Sequence, residues 1–387
     1  MSSPLRKGGL GVGAWLGDFA PCCVESNAND WLMQRKPSHI VTSPPLPPLP
    51  KGGSDEPCGL HKHDLSRRRF LMAAAALAGP TTSAALFPAI DATVQAAAPD
   101  AAESKKETRQ PTEFQHACMT LPYSSFPLDR ALTGIKAAGF RYVAWGTRHR
   151  EQSGQQVPVM PEDAPPEQAK TLAERCRNGG LEPVLMFSEV YPESKGGLEV
   201  LTHRIKQAGA AGIGQVLTFG HTQGGNRPLW IERFKALGPI ARDHNVIVVI
   251  KQHGGSTGTG EACAEIVREV NDPGIRVNYD AGNVMDYLDL DPIADVQKCV
   301  REVASFCIKD HRNWPKDQDC GPGFGEIDHY RLLQPFAFGR GKMPLAYENI
   351  FAPLLPRPIS PEEVDALARR AREFVETVIA GLQVIGA

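Results

Sequence analysis

The stretch Val246-Ile247-Val248-Val249-Ile250-Lys251-Gln252-His253-Gly254-Gly255 decides the architecture of this chain. Five β-branched apolar residues in a row leave no polar side for solvent. The segment therefore reads as a strand buried on both faces, the pattern of a parallel sheet. Polar residues begin where that strand emerges, and in a (β/α)₈ barrel this end is the catalytic face. Lys251 stands first there.

Working outward, short apolar runs alternate with helical patterns. The spacing predicts strands at 114–120, 141–145, 182–187, 215–219, 246–250, 276–279, 305–308 and 344–347. Leu128, Leu132 and Ile135 recur at helical spacing behind Pro127. Ser360-Pro361-Glu362-Glu363 is a capping box that opens a last helix with its apolar stripe at Val364, Leu367, Ala371, Phe374, Val378 and Leu382. Eight β-then-α units fit a single-domain α/β fold, a closed (β/α)₈ TIM barrel over 112–384, because right-handed crossovers leave few other topologies. An open doubly wound sheet is the alternative, but no Gly-x-Gly-x-x-Gly follows the first strand.

The 387 residues are 42% hydrophobic and 22% charged with a formal net charge of −2. That is an ordinary globular composition without the basic footprint of a nucleic-acid or membrane-surface protein. Residues 1–62 carry Pro/Gly-rich, low-complexity stretches without hydrophobic period and read as a disordered or mis-annotated leader. Within 63–98, Ser66-Arg67-Arg68-Arg69-Phe70-Leu71-Met72 precedes an Ala-rich apolar stretch interrupted by Gly79-Pro80. This is the pattern of a twin-arginine export signal, too short and too polar for a stable span. The expectation is a periplasmic or otherwise exported protein with its signal peptide cleaved near Ala96–Ala98, leaving roughly 290 residues, close to the ~250 of one barrel. The six cysteines after that point form no C-x-x-C pair, so neither a zinc ribbon nor a redox motif is indicated.

Polar residues at the predicted strand ends should converge on one mouth. These are Lys251 and His253 after the fifth strand, Asp280 and Asn283 after the sixth, and Cys307, Lys309 and Asp310 at the seventh. Glu348 follows the eighth, with His221 after the fourth and Glu189 after the third. A loop Gly321-Pro322-Gly323-Phe324-Gly325-Glu326-Ile327-Asp328 follows the seventh strand. It reads either as a cradle for phosphate or sugar hydroxyls or as a tight turn. In order, these segments resemble the sugar phosphate isomerase/epimerase family, the xylose isomerase-like TIM barrels, well over strands five to eight and only in layout over strands one to four.

The resemblance implies a divalent metal (Mn, Mg or Zn) held by a strand-five Glu, a strand-six Asp, a strand-seven His and a strand-eight Glu. Asp280 and Glu348 match. Lys251 and Cys307 stand where the Glu and the His belong, and a charged lysine has no lone pair for a metal. An ammonium between the two carboxylates would supply the missing positive charge. A desolvated amine forming a Schiff base is the other reading, opposed by those same carboxylates. The resemblance implies a small-molecule carbohydrate as substrate and proton abstraction next to a carbonyl. Asp280 and Glu348 are then the general acid/base pair, and Lys251 and His253 stabilise charge on oxygen. Asn283, Lys309, Asp310 and His221 are the substrate-binding candidates, and Trp145, Tyr279 and Trp314 could stack on a sugar. The alternatives are a non-catalytic carbohydrate-binding barrel, a keto-glycoside lyase or hydrolase, and an abasic-site nuclease relative. The last expects several metal-binding histidines and a basic groove.

Overall fold

The computed structural model describes residues 110–384. The leader and export-signal segments lie outside the described residues. The strands are β1 Glu113–Met119, β2 Tyr142–Trp145, β3 Arg148–Arg150, β4 Gln156–Pro158, β5 Glu182–Phe187, β6 Gln215–Phe219, β7 Ile247–Lys251, β8 Ile275–Asp280, β9 Val303–Ile308, β10 Asp310–Arg312, β11 Gln318–Cys320 and β12 Lys342–Tyr347. The helices are α1 Leu128–Ala137, α2 Pro166–Asn178, α3 Gly197–Ala211, α4 Arg227–Asp243, α5 Gly260–Val270, α6 Ala281–Leu288, α7 Pro292–Val296, α8 His329–Leu333 and α9 Pro361–Val384.

Eight parallel strands close in the order β1-β12-β9-β8-β7-β6-β5-β2, a TIM barrel. All eight predicted strands are present, two with the expected ends and the others with ends shifted by one or two residues. Two short antiparallel hairpins, β3-β4 and β10-β11, add to the C-terminal face and were not anticipated. The capping box at Ser360 forms reciprocally: the Glu363 N–H donates to Ser360 Oγ at 3.3 Å, and the Ser360 hydroxyl donates back to Glu363 Oε2 at 3.0 Å.

Alternation along the strands separates two apolar layers. Val248, Ile250, Val277, Tyr279, Phe306, Ile308, Leu345 and Tyr347 belong to the layer between sheet and helices. Val249, Leu217, Phe219, Cys307 and Ala346 fill the barrel interior with Met119, Phe187 and Ala117. The next inward positions on the same strands are Lys251, Asp280, Lys309 and Glu348. The period that buries the interior therefore delivers four charged side chains to one mouth. The Gly254-Gly255 pair after β7 has positive φ (75° and 49°), and a Cβ at Gly254 would collide with the Thr222 carbonyl. These glycines let the loop after β6 pack against the end of β7.

Candidate active site

Lys251 is 1% exposed, at the end of a strand with no polar neighbour before it. Its ammonium donates to Glu348 Oε1 at 2.6 Å and lies 3.3 Å from Asp280 Oδ2. Phe187 and Phe219 flank it, with ring centroids 5.5 and 6.0 Å from Nζ. Lys309, equally buried, brings a second ammonium 3.6 Å from Asp280 Oδ2, 3.5 Å from Glu348 Oε2 and 2.9 Å from Asp319 Oδ2. It also donates to the side-chain oxygen of Asn283. Gly282 makes room for this lysine, since a Cβ there would strike its aliphatic stem.

Asp280 is held at the β8–α6 junction. Its N–H donates to Gln252 Oε1 at 2.7 Å, and its Oδ1 accepts from the Asn283 N–H at 3.0 Å, which caps α6. Asn283 in turn donates to the Gln252 carbonyl at 2.6 Å. Although ammonium groups lie 3.3–3.6 Å away, Asp280 Oδ2 and Glu348 Oε2 accept no hydrogen bond among the described residues. Buried acceptors are rarely left so. Both oxygens lie within 3.6 Å of the Lys309 ammonium.

Electrostatics divides the two carboxylates. Burial raises Asp280 to about 6, and the Lys309 and Lys251 ammonium groups offset only part of that. Burial acts on Glu348 too, but Lys251, at hydrogen-bond distance, and Lys309 outweigh it and pull Glu348 down to about 2. Burial opposes the charge on Lys251, yet Glu348 and Asp280 hold its ammonium above the ordinary lysine range. Lys309 is raised likewise against burial by Asp280, Asp319 and Glu348. Two cations and three carboxylates thus share one buried network, and both amines stay protonated.

Cys307 belongs here as well. One oxygen each of Asp280 and Glu348 and the Cys307 sulfur lie within 4.8 Å of one another. Burial keeps this thiol well above its ordinary range, so it is neutral. The donor set for a cation is therefore two carboxylates and an un-ionised thiol, with the Lys251 ammonium already against both carboxylates. These residues do not fit a hard divalent metal, which takes oxygen ligands and is repelled by an adjacent ammonium.

His253 sits beside the network. Burial first, then the Lys251 charge, lowers it to about 4, so it is neutral. Its Nδ1–H donates to the Gly220 carbonyl at 2.7 Å, which makes Nε2 the accepting nitrogen. A neutral ring in this tautomer presents Nε2 to a proton or a hydroxyl hydrogen.

Of the remaining candidates, Asn283 and Lys309 join the centre and Asp310 does not. Asp310 is fully buried and turned to the glycine-rich loop, accepting from the N–H groups of His311 (2.9 Å), Gly323 (2.9 Å) and Ile327 (3.0 Å). With those donors committed to Asp310, the loop reads as a braced turn. His221 is half-exposed at the rim, 3.8 Å from Glu193. Tyr279 is buried with its hydroxyl on Asp295 and Pro292, so it offers no stacking face. Trp145 lines a cavity of about 400 Å³ bordered by Phe187, Arg148 and Glu189, and Trp314 is 77% exposed.

Asp319 on β11, Glu193 before α3 and Tyr287 on α6 were not foreseen. Lys309 and His311 hold Asp319 near 2 against burial. Tyr287 extends a wall of rings through His253 (5.2 Å), Phe219 (4.7 Å further), Tyr191 (5.5 Å) and His221 (3.8 Å). The six described cysteines are free and buried. Among the described residues no helix is long and apolar enough to cross a membrane.

The profile of the xylose isomerase-like TIM barrel family matches residues 132–373. No curated protein matches the chain. Similar solved structures include a xylose isomerase-like TIM barrel/4-hydroxyphenylpyruvate dioxygenase fusion protein (19% identity, TM-score 0.53), where the match spans 68% of this chain and 43% of that one. A xylose isomerase-like TIM barrel protein from Mycobacterium smegmatis in complex with magnesium is 14% identical, at a TM-score of 0.54, over 71% of this chain and 98% of that one. A D-psicose 3-epimerase in the presence of D-fructose is 10% identical, at a TM-score of 0.53, over 69% and 100% respectively. At these identities the likeness is one of fold.

Proposed function

We propose, from the premise that this chain belongs to the xylose isomerase-like TIM barrel family, that it transforms a carbohydrate by moving a proton next to a carbonyl. In this reading the Lys251 ammonium occupies the place of the family's divalent cation. The observation that carries the proposal is the pair of buried carboxylate oxygens, Asp280 Oδ2 and Glu348 Oε2, that accept no hydrogen bond while ammonium groups stand beside them. A hydroxy-ketone or hydroxy-aldehyde fits that vacancy of donors. Its hydroxyl donates to a carboxylate, and its carbonyl oxygen accepts from Lys251 or Lys309.

In the reaction, a carboxylate takes the proton from the carbon next to the carbonyl, the C–H electron pair forms a C=C bond, and the C=O π pair moves onto the carbonyl oxygen. The enediolate oxygen that forms lies against ammonium groups fixed in advance, whose contribution grows as the charge develops. Asp280, at about 6, is the better base; Glu348, near 2, is the fixed anion that orients Lys251. Return of the proton to the neighbouring carbon gives isomerisation, and return to the opposite face gives epimerisation. Expulsion of a group one carbon further gives elimination. No metal enters any of these steps.

The test is deuterium wash-in. Keto-sugars and aldoses incubated with the protein in deuterated water should gain deuterium at the carbon beside the carbonyl. Asp280→Asn should slow this by about 10²-fold or more. The rate should rise with pH through about 6 as Asp280 loses its proton, then level off. Sugars that bind without any wash-in would overturn the catalytic reading in favour of a carbohydrate-binding barrel.

A further inference from the structure

Glu193, in the loop between β5 and α3, is an anomaly that the reacting centre does not explain. Both of its carboxylate oxygens are buried, and neither accepts a hydrogen bond among the described residues. The His221 Nε2 lies 3.8 Å from Oε1, close enough for ionic attraction and too far for a hydrogen bond. A buried carboxylate without donors is a costly arrangement unless something that donates arrives there.

The surroundings say what would arrive. His221 stacks on Tyr191 with ring centroids 3.8 Å apart, Tyr191 meets Phe219 edge-on at 5.5 Å, and Phe219 lies 4.7 Å from His253. The Lys251 ammonium is 6.0 Å from that same Phe219 ring. A chain of packed rings therefore connects the reacting centre to Glu193, with Phe219 and His253 buried inside it and Tyr191 and His221 at its accessible end. Accessible rings beside a carboxylate with unused acceptor capacity make a polyol-binding arrangement. A hydroxyl bridging that 3.8 Å separation would donate to the carboxylate and meet the imidazole.

We infer that Glu193 and His221 form a hydroxyl-binding subsite that selects an unphosphorylated carbohydrate. The inference rests on the reading above that a carbohydrate occupies the barrel mouth, and it adds which end of that molecule lies where. The carbonyl end faces Lys251, and neutral hydroxyls reach Glu193. A phosphate at this end would meet an anion, and the Arg148 guanidinium at the same rim already faces Glu189 at 3.6 Å. The subsite thus discriminates by charge within a family resembling sugar phosphate isomerases.

The experiment is equilibrium binding of the purified full chain to pairs of ligands, each neutral aldose or ketose beside its own monophosphate. The neutral member should bind at least tenfold more tightly. Glu193→Gln should lose at least tenfold of that affinity, and His221→Asn a smaller part. Glu193→Lys should reverse the preference toward the phosphate. With a turned-over sugar, Glu193→Gln should raise KM and leave kcat within about threefold, and matched thermal melts check that each variant is folded. Three results would overturn the inference: equal or tighter binding of the phosphates, unchanged affinity in Glu193→Gln and His221→Asn, or no neutral sugar bound at all. Neutral sugars that bind with this dependence on Glu193 yet show no deuterium wash-in would overturn the catalytic proposal and leave the subsite standing.

Discussion

At the scale of the residue, Lys251 carries the account. A protonated amine buried to 1% against two carboxylates gains attraction from each. At an effective dielectric near 20 that is about 4 kcal/mol per pair at 4 Å, before desolvation is counted. Removing one partner of such a buried network leaves uncompensated charge and typically costs 3–5 kcal/mol. Lys251→Met, similar in length and apolar, should therefore lower unfolding free energy by about 3–5 kcal/mol in urea titrations. It should also abolish wash-in. Retained stability would mean that Asp280 and Glu348 find another counter-charge in the wild type. The position of Lys251 was legible because strand parity places it inward with Asp280 and Glu348. The role of Lys309 was legible only in part. Lys309 and Asp310 stand side by side in the sequence, but adjacent residues of an extended chain point to opposite sides. Lys309 turns to the mouth and Asp310 to the loop backbone.

At the scale of the element, the barrel strands were readable and the hairpins were not. Continuous β-branched and aromatic runs announce strands buried on both faces. The segments Asp310–Arg312 and Gln318–Cys320 are polar, three residues each, and carry no alternation. Yet β11 brings Asp319 to Lys309 and His311, which adds the third carboxylate of the mouth. The glycine-rich loop behind this hairpin is held by two of its N–H groups, Gly323 and Ile327, donating to Asp310, which also accepts from His311 on β10. Each hydrogen bond to a charged group contributes about 1.5–3 kcal/mol. Asp310→Ala should therefore destabilise the protein by roughly 3 kcal/mol or more, and Asp310→Asn by less. Thermal and urea unfolding read both, and a change within about 0.5 kcal/mol for Asp310→Ala would refute the bracing role. Glu193 escaped the sequence altogether: it lies in a loop without pattern, and only the packed structure reveals that its oxygens are buried.

At the scale of the whole molecule, the barrel fold and the residues at its mouth answer to different constraints. The barrel closes in the expected order, its interior ends in charged residues at the C-terminal mouth, and the family profile covers most of the described residues. At two of the four positions where the sequence resemblance implies cation ligands stand Lys251 and Cys307, a cation and a neutral thiol. Fold class follows from hydrophobic period, which many sequences satisfy. The content of the mouth depends on a few inward residues, which can change without disturbing that period. The most direct measurement is elemental analysis of the purified wild-type protein alongside Lys251→Glu/Cys307→His, both after exposure to Mn²⁺, Mg²⁺ and Zn²⁺ and removal of free ion. The account predicts well under one equivalent of metal in the wild type and uptake approaching one equivalent in the double variant. A full equivalent of tightly bound metal in the wild type would contradict it.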